Sequence, residues 1–133
     1  MKTLMIIMLI IMSLSVPATA MSKEIPETKY QEIDIYKNGF EISSSGIASC
    51  KVSLESQSYD RTVKVYAYIQ RYENGRWITV KSGNASDDDG DVSIYMQLMV
   101  VSGYDYRLKS FAYVYQDNNL LESDSYYSDN RYY

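Results

Sequence analysis

The chain has 133 residues, 13 Lys and Arg against 17 Asp and Glu, and no histidine, for a formal charge of −4. Without imidazole there is no Ser-His-Asp or Cys-His catalysis, and one cysteine cannot build a thiolate zinc site. A mildly acidic balance also argues against a general grip on nucleic acid or anionic membranes, because both depend on neutralising phosphates.

Residues 1–20, MKTLMIIMLIIMSLSVPATA, place Lys2 before an apolar run from Leu4 to Met12 and close on Ala18-Thr19-Ala20. This is the layout of a secretory signal, with small residues where a signal peptidase reads. As a retained anchor the run is too short, since a bilayer span takes ~20 apolar residues. Cleavage after Ala20 is therefore expected, leaving a soluble chain of single-domain size that is one unit more acidic. The expected location is secreted or extracellular, with association to a cell surface left open. Residues 21–32, MSKEIPETKYQE, are polar, aperiodic and interrupted by proline, and are expected to form a flexible lead-in to one domain over 33–133.

From Ile33 onward alternation with period two recurs, and no 3.6-residue stripe is sustained. It predicts strands at Ile33–Ile42, Ala48–Leu54, Thr62–Tyr72, Arg76–Lys81, Val92–Val100, Tyr104–Tyr115 and Glu122–Tyr127. Turn formers stand between them: Ser43 to Gly46, Asn74-Gly75, Asp87 to Gly90, Ser102-Gly103 and Asp117 to Asn119. Seven short strands in a chain of this size predict an all-β fold, a two-sheet antiparallel immunoglobulin-like sandwich.

Cys50 lies in an alternating run with Ala48, Val52 and Leu54, so it is read as a buried small hydrophobe rather than a reactive thiol. Trp77, the only tryptophan, follows Asn74-Gly75, the strongest short hairpin signal. It is expected to pair with Tyr72 across that hairpin and set the register; a ligand platform is the competing reading. In SGYDYRLKSFAYV a turn glycine precedes a tyrosine that opens a long strand, the arrangement of a tyrosine corner, with Tyr104 and Tyr106 both eligible.

The export signal, YIQRYENGRWITV and GYDYRLKSF together resemble a family of small secreted single-domain proteins of Gram-positive bacteria, classed as a domain of unknown function. The resemblance runs from about Gly46 to Val114. Its markers are Ile69-Gln70-Arg71, Asn74-Gly75 with Trp77, and Gly103-Tyr104 with Tyr106-Arg107. It implies an exported bacterial β-domain and brings no assigned catalytic or ligand-binding residue.

Three surface features bear on function. The run SDDDGDVS sets Asp87, Asp88, Asp89 and Asp91 around Gly90, and Asp87, Asp89 and Asp91 are candidate Ca²⁺ ligands. The helix–loop–helix calcium pattern fails, because aligning Gly90 to its sixth position puts Ala85 first and Met96 twelfth; a solvated acidic turn is the competing reading. Paired carboxylates can also serve glycoside hydrolysis, but nothing marks an apolar cleft around any acid. The ending DSYYSDNRYY reads either as a tail or as a strand that completes a sheet or pairs with another copy, and Asn84-Ala85-Ser86 fits an N-glycosylation sequon.

The sharpest feature is tyrosine: 15, against two phenylalanines. In an immunoglobulin-like sandwich the third and sixth strands are neighbours. Their outer faces would then set Tyr66, Tyr68, Gln70 and Tyr72 beside Arg107, Lys109, Phe111, Tyr113 and Tyr115. Tyr and Arg are enriched where proteins bind proteins, whereas ordinary sheets also favour tyrosine and lay Lys or Arg stems over rings. The expected function is a non-catalytic extracellular protein-interaction or cell-surface module, with a carbohydrate-binding module as the alternative. The expected partner is an extracellular protein or glycan, with no cofactor, nucleic acid or membrane.

Overall fold

The structure, a computed structural model, describes residues 30–133. The expected signal at 1–20, and the lead-in as far as residue 29, lie outside the described residues. Eight strands follow in order: β1 (Ile33–Ile42), β2 (Ile47–Ser56), β3 (Thr62–Glu73), β4 (Arg76–Asp87), β5 (Asp91–Met99), β6 (Asp105–Gln116), β7 (Asn119–Tyr127) and β8 (Arg131–Tyr132). The strands β1-β2-β5 form one antiparallel sheet and β4-β3-β6-β7 the other, with β8 pairing β6 beyond the end of β7. No helix among the described residues is long and apolar enough to cross a membrane.

This is an all-β, immunoglobulin-like order in which the fourth strand lies beside the third. The reason is local. Asn74 and Gly75 both take positive φ, 52° and 78°, which is the twist a two-residue hairpin needs, so β4 folds straight back onto β3. Asp117 and Asn118, at φ 49° and 66°, join β6 to β7 in the same way. β7 consequently begins earlier than the sequence suggests.

The core lies between the sheets. Val63, Val65, Ala67 and Ile69 of β3 and Leu108, Ala112 and Val114 of β6 face Ala48, Cys50, Val52 and Leu54 of β2, all of them buried. Cys50 is free and buried as expected, and burial pushes its thiol pKa up. Three edge strands carry register slips: at Asp34 in β1, Val80 in β4 and Leu121 in β7. The first lets Ile33 and, two turns of the pleat later, Tyr36 both face inward despite opposite parity.

The structure extends β4 well past Lys81, to Asp87. Its inward positions there are Gly83 and Ala85, small because β5 closes over this flank. A Cβ on Gly83 would meet Met96 Sδ at 2.7 Å and Ile94 Cδ1 at 2.8 Å. On the opposite flank a polar bridge replaces apolar closure. Ser110, fully buried on β6, bonds to the Tyr36 hydroxyl at 2.5 Å and donates to Asn38 Oδ1, both on β1.

The tyrosine corner falls to Tyr106. Its ring is buried and its hydroxyl donates to the Val101 carbonyl at 2.7 Å, pinning the connection between β5 and β6. Tyr104 instead lies under the Arg71 guanidinium, 4.7 Å from ring centroid to Cζ. Tyr106→Phe is expected to cost about 1 kcal/mol, read as a lower urea midpoint at unchanged m. A second test compares two glycines of similar φ. Gly90 (φ 80°) has Ser58 O at 2.6 Å from an added Cβ, whereas Gly75 (φ 78°) has nothing within 4 Å. Gly75→Ala is expected to cost about 1 kcal/mol and Gly90→Ala about 3 kcal/mol, by the same denaturation.

Candidate functional site

β3 and β6 pair from Thr62↔Tyr115 to Arg71↔Tyr106 without a slip. Because successive side chains alternate between faces, this register places Lys64, Tyr66, Tyr68, Gln70 and Tyr72 on the outer face with Arg107, Lys109, Phe111, Tyr113 and Tyr115. All eight candidate binding residues, Tyr66, Tyr68, Tyr72, Arg107, Lys109, Phe111, Tyr113 and Tyr115, therefore share one surface.

On that surface the rings interlock. Tyr66 meets Tyr113 edge-on at 5.9 Å, and Tyr68 meets Phe111 edge-on at 6.1 Å, both diagonally across the strands. Along β6, Phe111 stacks on Tyr113 and Tyr113 on Tyr115, each at 6.4 Å. Lys64 Nζ lies 5.2 Å from the Tyr115 centroid and Lys109 Nζ 5.1 Å from that of Phe111. The rings thus cover one another and are half-buried; among the candidate aromatics only Tyr72, at 43%, is open to solvent.

Trp77 is the register partner of Tyr72, with ring centroids 5.2 Å apart. Hairpin packing is thereby its role, and its ring has a second neighbour that sequence reasoning missed. The Arg107 guanidinium lies over Trp77 at 4.2 Å and over Tyr127 of β7 at 4.6 Å, while its Nε donates to Gln70 Oε1 at 2.9 Å. Ion pairs among the described residues lie elsewhere, joining Arg61 to Glu32 and Asp60, and Arg71 to Glu73.

The acidic turn does not gather its carboxylates. Asp87 Oδ1 accepts the Asp89 N–H at 3.2 Å, Asp88 Oδ1 accepts the Thr62 hydroxyl at 2.9 Å, and Asp91 is already in β5 opposite Glu55. Among the described residues no group of three or more acids or cysteines is placed to hold a metal ion, so Asp87, Asp89 and Asp91 are not brought together as a ligand set.

A second polar cluster was not foreseen. The Glu122 carboxylate on β7 accepts three consecutive backbone N–H groups, from Gln31 at 3.2 Å, Glu32 at 2.9 Å and Ile33 at 2.7 Å. Tyr30 donates to Asp124, and Arg61 Nε reaches Glu32 at 2.9 Å. The end of the lead-in is therefore tied to β7, not free. The available signal was the inward parity of Glu122 and Asp124, acids where a core strand would carry apolar residues. The ending DSYYSDNRYY completes the larger sheet: β7 runs to Tyr127, Ser128 continues the ladder through its bonds with Leu108, and β8 resumes it.

No family model, curated protein or solved structure matches the chain.

The hydrogen bond to Asp124, with desolvation and the neighbouring charges of Asp124 and Glu122, pushes the Tyr30 pKa up to about 12. A raised phenol pKa stabilises the fold below the ordinary value of 10.0, and the contribution is lost as pH rises through about 12. Asp124→Asn is expected to return Tyr30 toward 10.0. Alkaline titration of phenolate absorbance, with Tyr30→Phe as the blank, should show one tyrosine ionising earlier in the variant.

Proposed function

We propose that the chain is an exported, non-catalytic β-sandwich that binds a protein partner outside the cell or at its surface, through the outer face of β4-β3-β6-β7. The observation that carries this reading is the convergence of five aromatic rings of β3 and β6 with Arg107 and Lys109 on one face, with Trp77 and Tyr127 extending it. Rigid Tyr and Trp rings present large contact area at small entropic cost, and Arg adds directional hydrogen bonding. The signal layout of residues 1–20 supports an extracellular location, as does the resemblance to small secreted proteins of Gram-positive bacteria. The absence of histidine supports a binding role over a hydrolytic one.

A carbohydrate-binding reading has its own observation, on the other sheet. Tyr95, 61% exposed, borders a shallow depression of about 320 Å³ over Gly39, with Glu41, Ser49 and Lys51 around it. An open ring flanked by polar groups suits a sugar, whereas the rings of the larger sheet have neighbours against their faces.

Bacterial cell walls, with surface proteins intact or stripped by protease, separate the two readings. The purified chain is expected to bind intact walls and not stripped ones. Tyr66→Ser with Tyr113→Ser should abolish that binding while lowering stability by only about 1 kcal/mol, the worth of one aromatic pair. Binding that survives stripping and is lost in Tyr95→Ala assigns the function to glycan instead.

A further inference from the structure

We infer that Arg107 is a carboxylate-reading anchor, and that the partner docks an acidic peptide segment on the outer face with one carboxylate against this guanidinium. The inference rests on the proposed function and specifies the chemistry of its partner.

Three restraints fix the guanidinium before any ligand arrives. Trp77 and Tyr127 hold its faces, and Gln70 Oε1 takes the Nε–H. The two terminal nitrogens have no hydrogen-bond or ion-pair partner among the described residues. What remains open is the paired Nη edge, the fork that matches a carboxylate in bidentate fashion. Ordering an arginine ordinarily costs rotamer entropy on binding, and here stacking has already removed that freedom. Lys109 stands on the same face, two residues along β6, with its Nζ 5.6 Å from the Tyr127 centroid.

The electrostatics favour an anion at this place alone. Acids outnumber bases over the chain. Yet from Thr62 to Tyr72 and from Arg107 to Tyr115 the outward positions hold Lys64, Arg107 and Lys109 and no carboxylate. The flanking outward positions of β4 and β7, such as Ser82, Asn84, Ser123 and Ser125, are uncharged as well. The same pattern selects a peptide over a phosphate polymer. A polyanion gains affinity by neutralising many phosphates in a row, and a net acidic molecule repels it at long range. A single carboxylate flanked by apolar side chains avoids that repulsion and finds rings on either side of its anchor.

The only tryptophan stacks on the proposed anchor, so its emission reports occupancy directly. The probe is a fluorescein-labelled peptide of alternating glutamate and leucine, titrated by anisotropy and, unlabelled, by Trp77 emission. Its glutamine counterpart and long-chain polyphosphate run beside it. The expected result is binding of the glutamate peptide that weakens with salt, with a change in Trp77 emission. Arg107→Gln and Arg107→Lys should each weaken it about tenfold, since lysine keeps the charge and loses the fork, and Lys109→Gln about threefold. Thermal melts confirm that each variant is folded, and Arg107→Lys serves if Arg107→Gln is not.

Any of four results overturns the inference: no response to millimolar glutamate peptide, equal binding of the glutamine peptide, tighter binding of polyphosphate, or undiminished affinity in folded Arg107→Lys. The wall-binding assay keeps the two claims apart. If Tyr66→Ser with Tyr113→Ser abolishes wall binding and Arg107→Lys does not, the interaction face stands and the carboxylate anchor falls. If neither changes it, both fall.

Discussion

The unbroken register between β3 and β6 decides both what is buried and what is displayed. Each strand alternates small or branched apolar residues with large polar-tipped ones, so the pairing from Thr62↔Tyr115 to Arg71↔Tyr106 sorts two sets at once. Val63, Val65, Ala67 and Ile69 with Leu108, Ala112 and Val114 become interior, and the tyrosines with Arg107 and Lys109 become surface. A slip of one residue would exchange the two sets, exposing the aliphatic interior and burying two cations. The energetic gap between those registers is what makes the arrangement unique.

A domain of this size with one cysteine has no disulfide to restrict its unfolded state. Its closure rests on different chemistry at each boundary. One flank closes by apolar contact over Gly83, where Met96 and Ile94 come within a methyl's reach. The other closes by hydrogen bonds, through Ser110 with Tyr36 and Asn38 and through Glu122 with the backbone of residues 31–33. The connection from β5 to β6 is held by the Tyr106 hydroxyl. Each polar device satisfies groups that would otherwise be costly to bury, and among the described residues no buried side-chain polar atom is left without a partner.

How much was legible follows from which physics was local. Period two identified β3, β5 and β6, because their alternation is strong and both sheets need it. The Asn74-Gly75 turn and the Tyr72–Trp77 pair follow from adjacent residues, and the outer face follows once β3 and β6 are neighbours. The second half of β4 was not legible: its inward residues, Gly83 and Ala85, are small for the sake of β5, and only the partner explains them. The choice of Tyr106 over Tyr104 depends on which ring points inward, a parity fixed by the pairing of β6 with β3. The position of Arg107 needed three strands at once, since Trp77 comes from β4, Gln70 from β3 and Tyr127 from β7. The Glu122 clamp joins residues 89 to 91 apart in sequence, beyond any pattern within a strand.

The register slips at Asp34, Val80 and Leu121 all fall on strands that have a neighbour on one side only, whereas the pairings of β2 with β5 and of β3 with β6 run straight. A bulged margin twists away and offers a broken row of amide and carbonyl groups, which a second chain cannot extend in register. Tyrosine-rich strands of low charge are otherwise good seeds for lateral stacking into fibrils. The irregular margins therefore let this chain display an aromatic sheet in the open while keeping its copies apart.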